Sequence, residues 1–145
     1  MSRQVKLRDL IVSQSALGRI SSLPISARMS LTLADVLRVV NPQLEEFQKQ
    51  HAVILKRYGT PKLDGNGNPI EGQYNFTPDK REALDKEYED MLDKPVDIPF
   101  GKIKLNDLLA EKLDKDETLK LSGNEIYALG WMLRVEAQSM FEEEK

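Results

Sequence analysis

The chain has 145 residues, of which 40% are hydrophobic and 31% charged, and it contains no cysteine. A chain of this length can form one domain with a buried core, and the lack of cysteine excludes disulfides, thiolate nucleophiles and cysteine-based zinc sites. Because the 21 basic residues are fewer than the 24 acidic ones, the composition argues against nucleic-acid binding, which depends on positive charge.

The first predicted element is a helix at residues 7–23. Before it, residues 1–10 mix charged and apolar side chains, so we expect neither a signal peptide nor a membrane span. Within it, apolar residues recur at helical spacing at Leu7, Leu10, Ile11, Leu17 and Ile20.

A long second helix is predicted at residues 24–58. Pro24 suits the first turn of a helix, and Gly59 is expected to act as its C-cap. Pro42 lies inside this range, where proline costs about 3 kcal/mol. Because the apolar stripe keeps its phase across Pro42, we predict one helix kinked near Asn41, with two shorter helices as the alternative. The stripe consists of Ile25, Met29, Leu33, Val36, Val40, Leu44, Phe47, His51, Ile54 and Tyr58.

The segment from residue 58 to 76 is rich in glycine, asparagine and proline. Asp64, Asn66 and Asn68 are spaced like the first three ligands of a calcium loop, but Pro69 and Asn75 stand where such a loop needs glycine and glutamate. A phosphate cradle would place its glycines between a strand and a helix, which is not the order here. The Asn-Gly and Asp-Gly pairs instead predict a β-hairpin or extended loop at residues 61–76.

A third helix is predicted at residues 78–92, with Thr77 as N-cap and Pro78 in the first turn. The alternating pattern at residues 95–105 predicts a strand or short hairpin, which Pro99 confines to an edge. Asn106 is expected to cap a short helix at residues 107–113.

The last predicted helix spans residues 123–141 and is followed by a charged tail at 142–145. Ser122 and Glu125 have the spacing of a capping box. These elements together predict a single domain, 1–145, of the mainly helical α+β class. In it, a long kinked helix packs with two or three further helices and a small β-hairpin or antiparallel sheet.

The sequence predicts no catalytic residue, no cofactor site and no metal ligands. His51 lies on an apolar helix face, which favours a packed core or groove histidine over a base or ligand. Trp131 and Tyr127 are interpreted either as core residues or as a partner-binding patch. Lys56, Arg57 and Lys62 form a local basic cluster. The candidate partner-binding residues are Tyr58, Asp64, Asn66, Asn68, Tyr74, Phe76 and Trp131.

The order of these parts resembles a family of small proteins encoded by tailed phages and prophages. The likeness covers residues 6–132 and depends on "LKRYG", "LDGNGNPI", "YNFTPDKREALDKEYEDML", "VDIPF" and "LSGNEIYALGWML". Pro42 departs from the uninterrupted long helix that the family pattern implies. The resemblance implies a phage origin, and no catalytic residue can be transferred from it.

We therefore expect a non-enzymatic protein-interaction module in the host cytoplasm. Its partner would be a host factor, as for an inhibitor or anti-defence protein, or a virion or assembly component. Homo-oligomers are a version of this hypothesis, whereas nucleic acid and membrane are not expected partners. The alternative is a small ligand- or metal-binding protein or enzyme that uses the loop at residues 64–72.

Overall fold

A computed structural model describes residues 3–113 and 117–134 of the chain. They form a mainly helical α+β fold, as predicted. In chain order the elements are β1 (Arg3–Lys6), α1 (Leu7–Ser21), α2 (Ala27–Tyr58), β2 (Thr60–Leu63), β3 (Pro69–Asn75), α3 (Pro78–Leu92), β4 (Pro95–Ile98), β5 (Ile103–Lys104), α4 (Leu105–Leu109), α5 (Gly123–Ala128) and β6 (Leu133–Arg134).

Helix α2 is uninterrupted through Pro42, so the alternative of two shorter helices is wrong. Its 32 residues correspond to a length of about 48 Å. The helix begins after Ser26, whose hydroxyl accepts a hydrogen bond from the N–H of Met29, rather than at Pro24. Because proline has no N–H, the carbonyl four residues before Pro42 lacks its helical hydrogen bond. Pro42 is exposed, so water can reach that carbonyl instead. The buried residues of α2 are Met29, Leu33, Val36, Val40, Leu44, Phe47 and Ile54.

The main core forms where the first half of α2 meets α1 and the carboxyl-terminal segments. Leu10 and Ile20 of α1 and Ile98 of β4 are fully buried in it. Strand β1, which the periodicity of the sequence did not predict, pairs antiparallel with β4 and places Val5 opposite Val96. The chain segment before α1 is thereby fixed to the segment after α3.

The predicted helix at residues 123–141 is wrong for residues 129–134. Leu129 ends α5, and residues 129–132 form turns that lead into β6. Strand β6 pairs parallel with β5, and the N–H of Ile103 donates to the carbonyl of Met132 at 2.8 Å. These backbone hydrogen bonds to β5 take the place of the helical hydrogen bonds that the prediction required. Residues 135–141 and the tail 142–145 lie outside the described residues.

Two further boundaries differ from the sequence expectation. The segment predicted as one strand region at residues 95–105 supplies β4 and β5, which belong to different sheets. The short helix α4 spans Leu105–Leu109 instead of residues 107–113, and it follows Lys104, not Asn106, as N-cap. Its early start places Leu108 in the core. The observed start of α4 therefore agrees with burial of the Leu108 side chain, which the capping residues in the sequence do not indicate.

Within the described ranges, none of the helices is both long and apolar enough to cross a lipid bilayer.

Replacing Pro42 with alanine tests the continuity of α2. We expect Pro42→Ala to raise the free energy of unfolding by about 1–2 kcal/mol, because it restores a helical hydrogen bond and removes the ring clash, while the unfolded chain gains some freedom. Urea unfolding followed by circular dichroism measures the change. Gln48→Ala, on the exposed side of the same helix, is the control and should shift stability far less. A loss of stability in Pro42→Ala would contradict the uninterrupted helix.

Candidate functional site

Residues 48–87 form a unit that we call the distal arm. It comprises the last three turns of α2, the β2–β3 hairpin and most of α3. Ile54 of α2 and Leu84 of α3 are buried, yet neither belongs to the main core. The arm therefore extends beyond the region in which α1 and α2 pack together.

An aromatic cluster joins the arm to the core. The ring of His51 stacks on Phe47 with centroids 5.8 Å apart, and it lies 5.0 Å from the ring of Tyr88. Phe47 and Tyr88 are 5.7 Å apart. The single histidine is half-buried in this cluster between α2 and α3, a packing position.

Tyr58 links the end of α2 to α3. Its hydroxyl donates to Oε2 of Glu87 at 2.7 Å, and Nη1 of Arg57 donates to Oε1 at 2.8 Å. The bond from Tyr58, together with that from Arg57, lowers the pKa of the Glu87 carboxyl, and the same bond to Glu87 raises the pKa of the Tyr58 phenol. Tyr58 is thus engaged within the arm and holds its two helices together.

Gly59 allows the hairpin to lie directly against the end of α2. Its φ of −103° is open to any residue, so its role is not that of a left-handed C-cap. A Cβ atom at Gly59 would lie 2.7 Å from Cβ of Tyr74 and 2.8 Å from Cε1 of Phe76. The guanidinium of Arg81 lies over the ring of Phe76, 5.6 Å from its centroid. Close packing therefore fixes the base of the hairpin.

The tip of the hairpin is a turn closed by Asp64. Its Oδ1 accepts hydrogen bonds from the backbone N–H groups of Asn66 at 2.8 Å and Asn68 at 3.0 Å. Gly67 has a φ of +81°, which favours glycine. The hairpin prediction is confirmed, and the Asp64 carboxylate is used by the turn. Throughout residues 3–113 and 117–134, no three acidic or histidine side chains are grouped so as to hold a metal ion.

The edges of the hairpin are poorly suited to pairing with another strand. Pro61 lacks an N–H and Lys62 is charged, both in β2, and the register shifts between Pro61 and Leu63. In β3, Gly72 has a φ of +79°. Such features protect edge strands from additional pairing. A partner would therefore contact side chains of the arm, not its free backbone groups.

Six of the seven candidate partner-binding residues lie in the arm. Trp131 does not: the residue is 9% exposed and belongs to the main core, while its carbonyl accepts a hydrogen bond from Nη2 of Arg3 at 2.7 Å. Of the two interpretations of this tryptophan, the structure favours the core. Tyr127 is 85% exposed instead. The six in the arm are Tyr58, Asp64, Asn66, Asn68, Tyr74 and Phe76.

The sequence interpretation missed part of a basic and apolar surface on the arm. Lys49, Val53 and Lys56 recur at i, i+4 and i+7, so they share one exposed side of α2. Exposed Lys62 and Leu63 follow on β2. We call these five residues the basic–apolar surface. The sequence does contain an indication of this surface, because residues 47–63 include no aspartate or glutamate.

Comparison with known proteins finds no match to this chain among protein-family models, curated proteins or solved structures. Function is therefore inferred from the geometry and charge of the described residues.

Gly59→Ala should detach the hairpin from α2. The added Cβ overlaps Tyr74 and Phe76, so we expect a loss of about 1–3 kcal/mol of stability and faster hydrogen exchange in β2 and β3. Denaturant unfolding and exchange mass spectrometry measure both effects. Gly65→Ala is the matched control in the same hairpin, since a Cβ there meets nothing within 4 Å. Equal behaviour of the two variants would show that the close approach is unimportant.

Tyr58→Phe should raise the pKa of Glu87 toward the ordinary glutamate value of 4.5, because the main cause of its lowering is removed. A lowered carboxyl pKa stabilises the fold above the ordinary value, and this contribution is lost as pH falls below it. The wild type should therefore lose its stability advantage over Tyr58→Phe below about pH 4.5.

Carboxyl NMR titration measures the pKa of Glu87, and unfolding at several pH values measures the stability difference. Tyr127→Phe removes a hydroxyl from an exposed residue and should leave the Glu87 titration unchanged. An unchanged Glu87 pKa in Tyr58→Phe would contradict the role of this hydrogen bond.

Proposed function

We propose that the protein is a non-enzymatic protein-binding module that docks through the distal arm. One observation carries this proposal: the hairpin is tightly attached at its base but nearly all exposed. Every residue of β2 is exposed, and in β3 the half-buried residues are Ile70 and Tyr74. The base is fixed by the packing of Tyr74 and Phe76 against Gly59.

An exposed two-stranded hairpin buries little apolar surface and adds little to the stability of a domain. Its attachment nevertheless gives it a defined direction with respect to α2. Fixing a binding element before the encounter reduces the conformational entropy that is lost on association. A hairpin that is rigid at its base yet adds little to the core is therefore suited to contacting another molecule.

The basic–apolar surface defines the chemistry of the partner. Lys49, Lys56 and Lys62 make no ion pair within the part of the chain that the structure describes. Val53 and Leu63 are 54% and 57% exposed among them. A protein surface that presents carboxylates around an apolar patch would be complementary to this arrangement.

A nucleic acid is a weaker candidate for the same surface. Arg57, part of the basic cluster in the sequence, is paired with Glu87. The neighbouring helix α3 exposes Glu82, Asp85, Glu89 and Asp90, and the whole chain has a formal charge of −3. A polyphosphate backbone carries continuous negative charge and needs a continuous basic surface, whereas a protein partner can place its carboxylates opposite the three lysines alone.

The resemblance to small phage and prophage proteins supports a phage origin for this module. On that basis the proposed partner is either a host factor that the module inhibits or a component of the virion or its assembly, met in the host cytoplasm. The alternative of a ligand- or metal-dependent protein acting through residues 64–72 is less favoured, because Asp64 already accepts two backbone hydrogen bonds.

Photo-cross-linking tests the docking role of the arm. A photoreactive amino acid at Val53 or Leu63 should form a cross-link to one discrete protein in host cells. The same amino acid at Leu31, which is 65% exposed at the other end of α2, is the control and should not form it. Lys49→Glu, Lys56→Glu and Lys62→Glu together should abolish the cross-link through charge repulsion.

A triple variant with the same change of charge outside the distal arm, Lys94→Glu, Lys112→Glu and Lys120→Glu, should retain the cross-link, because all three lysines are exposed there. Equal labelling from Leu31 and from the arm would contradict a specific docking surface. A cross-linked product of twice the chain mass would replace the proposed partner with a second copy of this chain.

A further inference from the structure

A second site lies at the opposite end of α2, between its first turns and the segments around β5 and β6. A cleft of about 470 Å³ is bounded there by α2, the chain at residues 100–104, the start of α4 and Arg134. This volume falls within the usual range for pockets that hold small molecules. None of the candidate residues from the sequence lies in it, and we call it the basic cleft.

Four basic residues from three segments of the chain meet in the basic cleft. Arg28 comes from α2, Lys102 from the chain before β5, Lys104 from β5 and Arg134 from β6. Asp35 and Asp107 are the two carboxylates that line it. Gathering like charges costs Coulomb energy, and this local excess occurs in a chain whose formal charge is negative.

Three of the four cations in the cleft remain available to a ligand. Arg28, Lys102 and Arg134 have no ion-pair partner in the described ranges. Of the two carboxylates, that of Asp35 pairs with Arg38 of its own helix, a residue outside the cleft lining. A bound anion would therefore find unpaired cations from α2 and from the chain on either side of it.

The walls of the cleft are held together by the fold. Nη1 of Arg3 donates to the carbonyl of Phe100 at 3.1 Å, while its Nη2 donates to the carbonyl of Trp131. The β5–β6 pair joins the same two segments through Ile103 and Leu133. The backbone of these two segments is thus held in place before any ligand arrives, which limits the entropy lost on binding.

The lining also offers an apolar surface with an aromatic ring. Phe100 is half-buried and lines the cleft, so part of the ring is accessible. Met29, Val36 and Ile103 line it as well. A planar heterocycle stacks favourably on such a ring, whereas a bare inorganic anion gains nothing from it.

We infer that the basic cleft binds a nucleoside phosphate, with the phosphates held by Arg28, Lys102 and Arg134 and the base placed against Phe100. Asp107 supplies an acceptor for a sugar hydroxyl or an amino group of the base. This ligand matches both the charge and the aromatic wall. The site is separate from the distal arm, so its occupancy is independent of the proposed docking function.

Isothermal titration calorimetry with ADP, pyrophosphate and adenosine tests the inference on the full chain. ADP should bind at one saturable site, with about tenfold lower affinity for pyrophosphate and no measurable binding of adenosine. The double variant Arg28→Ala and Lys102→Ala should weaken ADP binding at least about tenfold, because each residue removes a charged contact. Both side chains are exposed, so the variant should fold.

Two control variants distinguish specific binding in the cleft from nonspecific electrostatic attraction of ADP to the protein. Lys80→Ala with Lys86→Ala, two exposed lysines outside the cleft, should leave ADP affinity unchanged. Phe100→Leu keeps an apolar side chain and should bring the affinity for ADP down to that for pyrophosphate.

Three results would overturn the inference. They are no saturable ADP binding, equal affinity of the wild type for ADP and pyrophosphate, or an equal loss in the control pair. Binding of a short polyglutamate peptide without binding of ADP would assign the cleft to an acidic protein segment instead.

Discussion

The structure depends on burial of one apolar stripe along α2. The residues from Met29 to Phe47 are withdrawn from water by α1, β4 and the carboxyl-terminal segments, and burial of such side chains is the main stabilising contribution in a domain of this size. Most of these residues are aliphatic. Proline inside a helix lowers stability, but burial of the stripe on both sides of Pro42 offsets this free-energy cost.

The length of α2 divides the molecule into two regions. A helix of about 48 Å is long enough to extend past its core, and its last three turns are covered by α3 and the hairpin instead. Ile54 and Leu84 are buried there apart from the main core, while hydrogen bonds and ring contacts such as Tyr58–Glu87 and His51–Tyr88 add to the packing. The arm is therefore fixed in direction with few buried apolar side chains, which leaves most of its surface for contact with other molecules.

Charge is distributed unevenly over the surface of the protein. Residues 47–63 and the basic cleft are locally positive, whereas α3 exposes carboxylates and the chain is acidic as a whole. The two positive regions differ in their apolar component. The arm presents exposed aliphatic side chains on a hairpin and a helix, which fits a protein surface. The cleft is concave and contains a phenyl ring, which fits a small planar anion.

Sequence patterns alone identified the helical stripes, the Thr77 and Ser122 caps and the Asp64 turn, because each depends on residues close together in the chain. They therefore predicted α1, α2, α3 and the hairpin to within a few residues. The folded structure was needed to show where α5 ends, why residue 59 is glycine, that Trp131 is buried, and that Arg28 shares a cleft with Arg134. Each of these features arises from a contact between residues far apart in sequence, such as Ile103 with Met132 or Gly59 with Tyr74. Local periodicity contains no information about such contacts, because they are formed by packing energy that the chain gains only when distant segments meet.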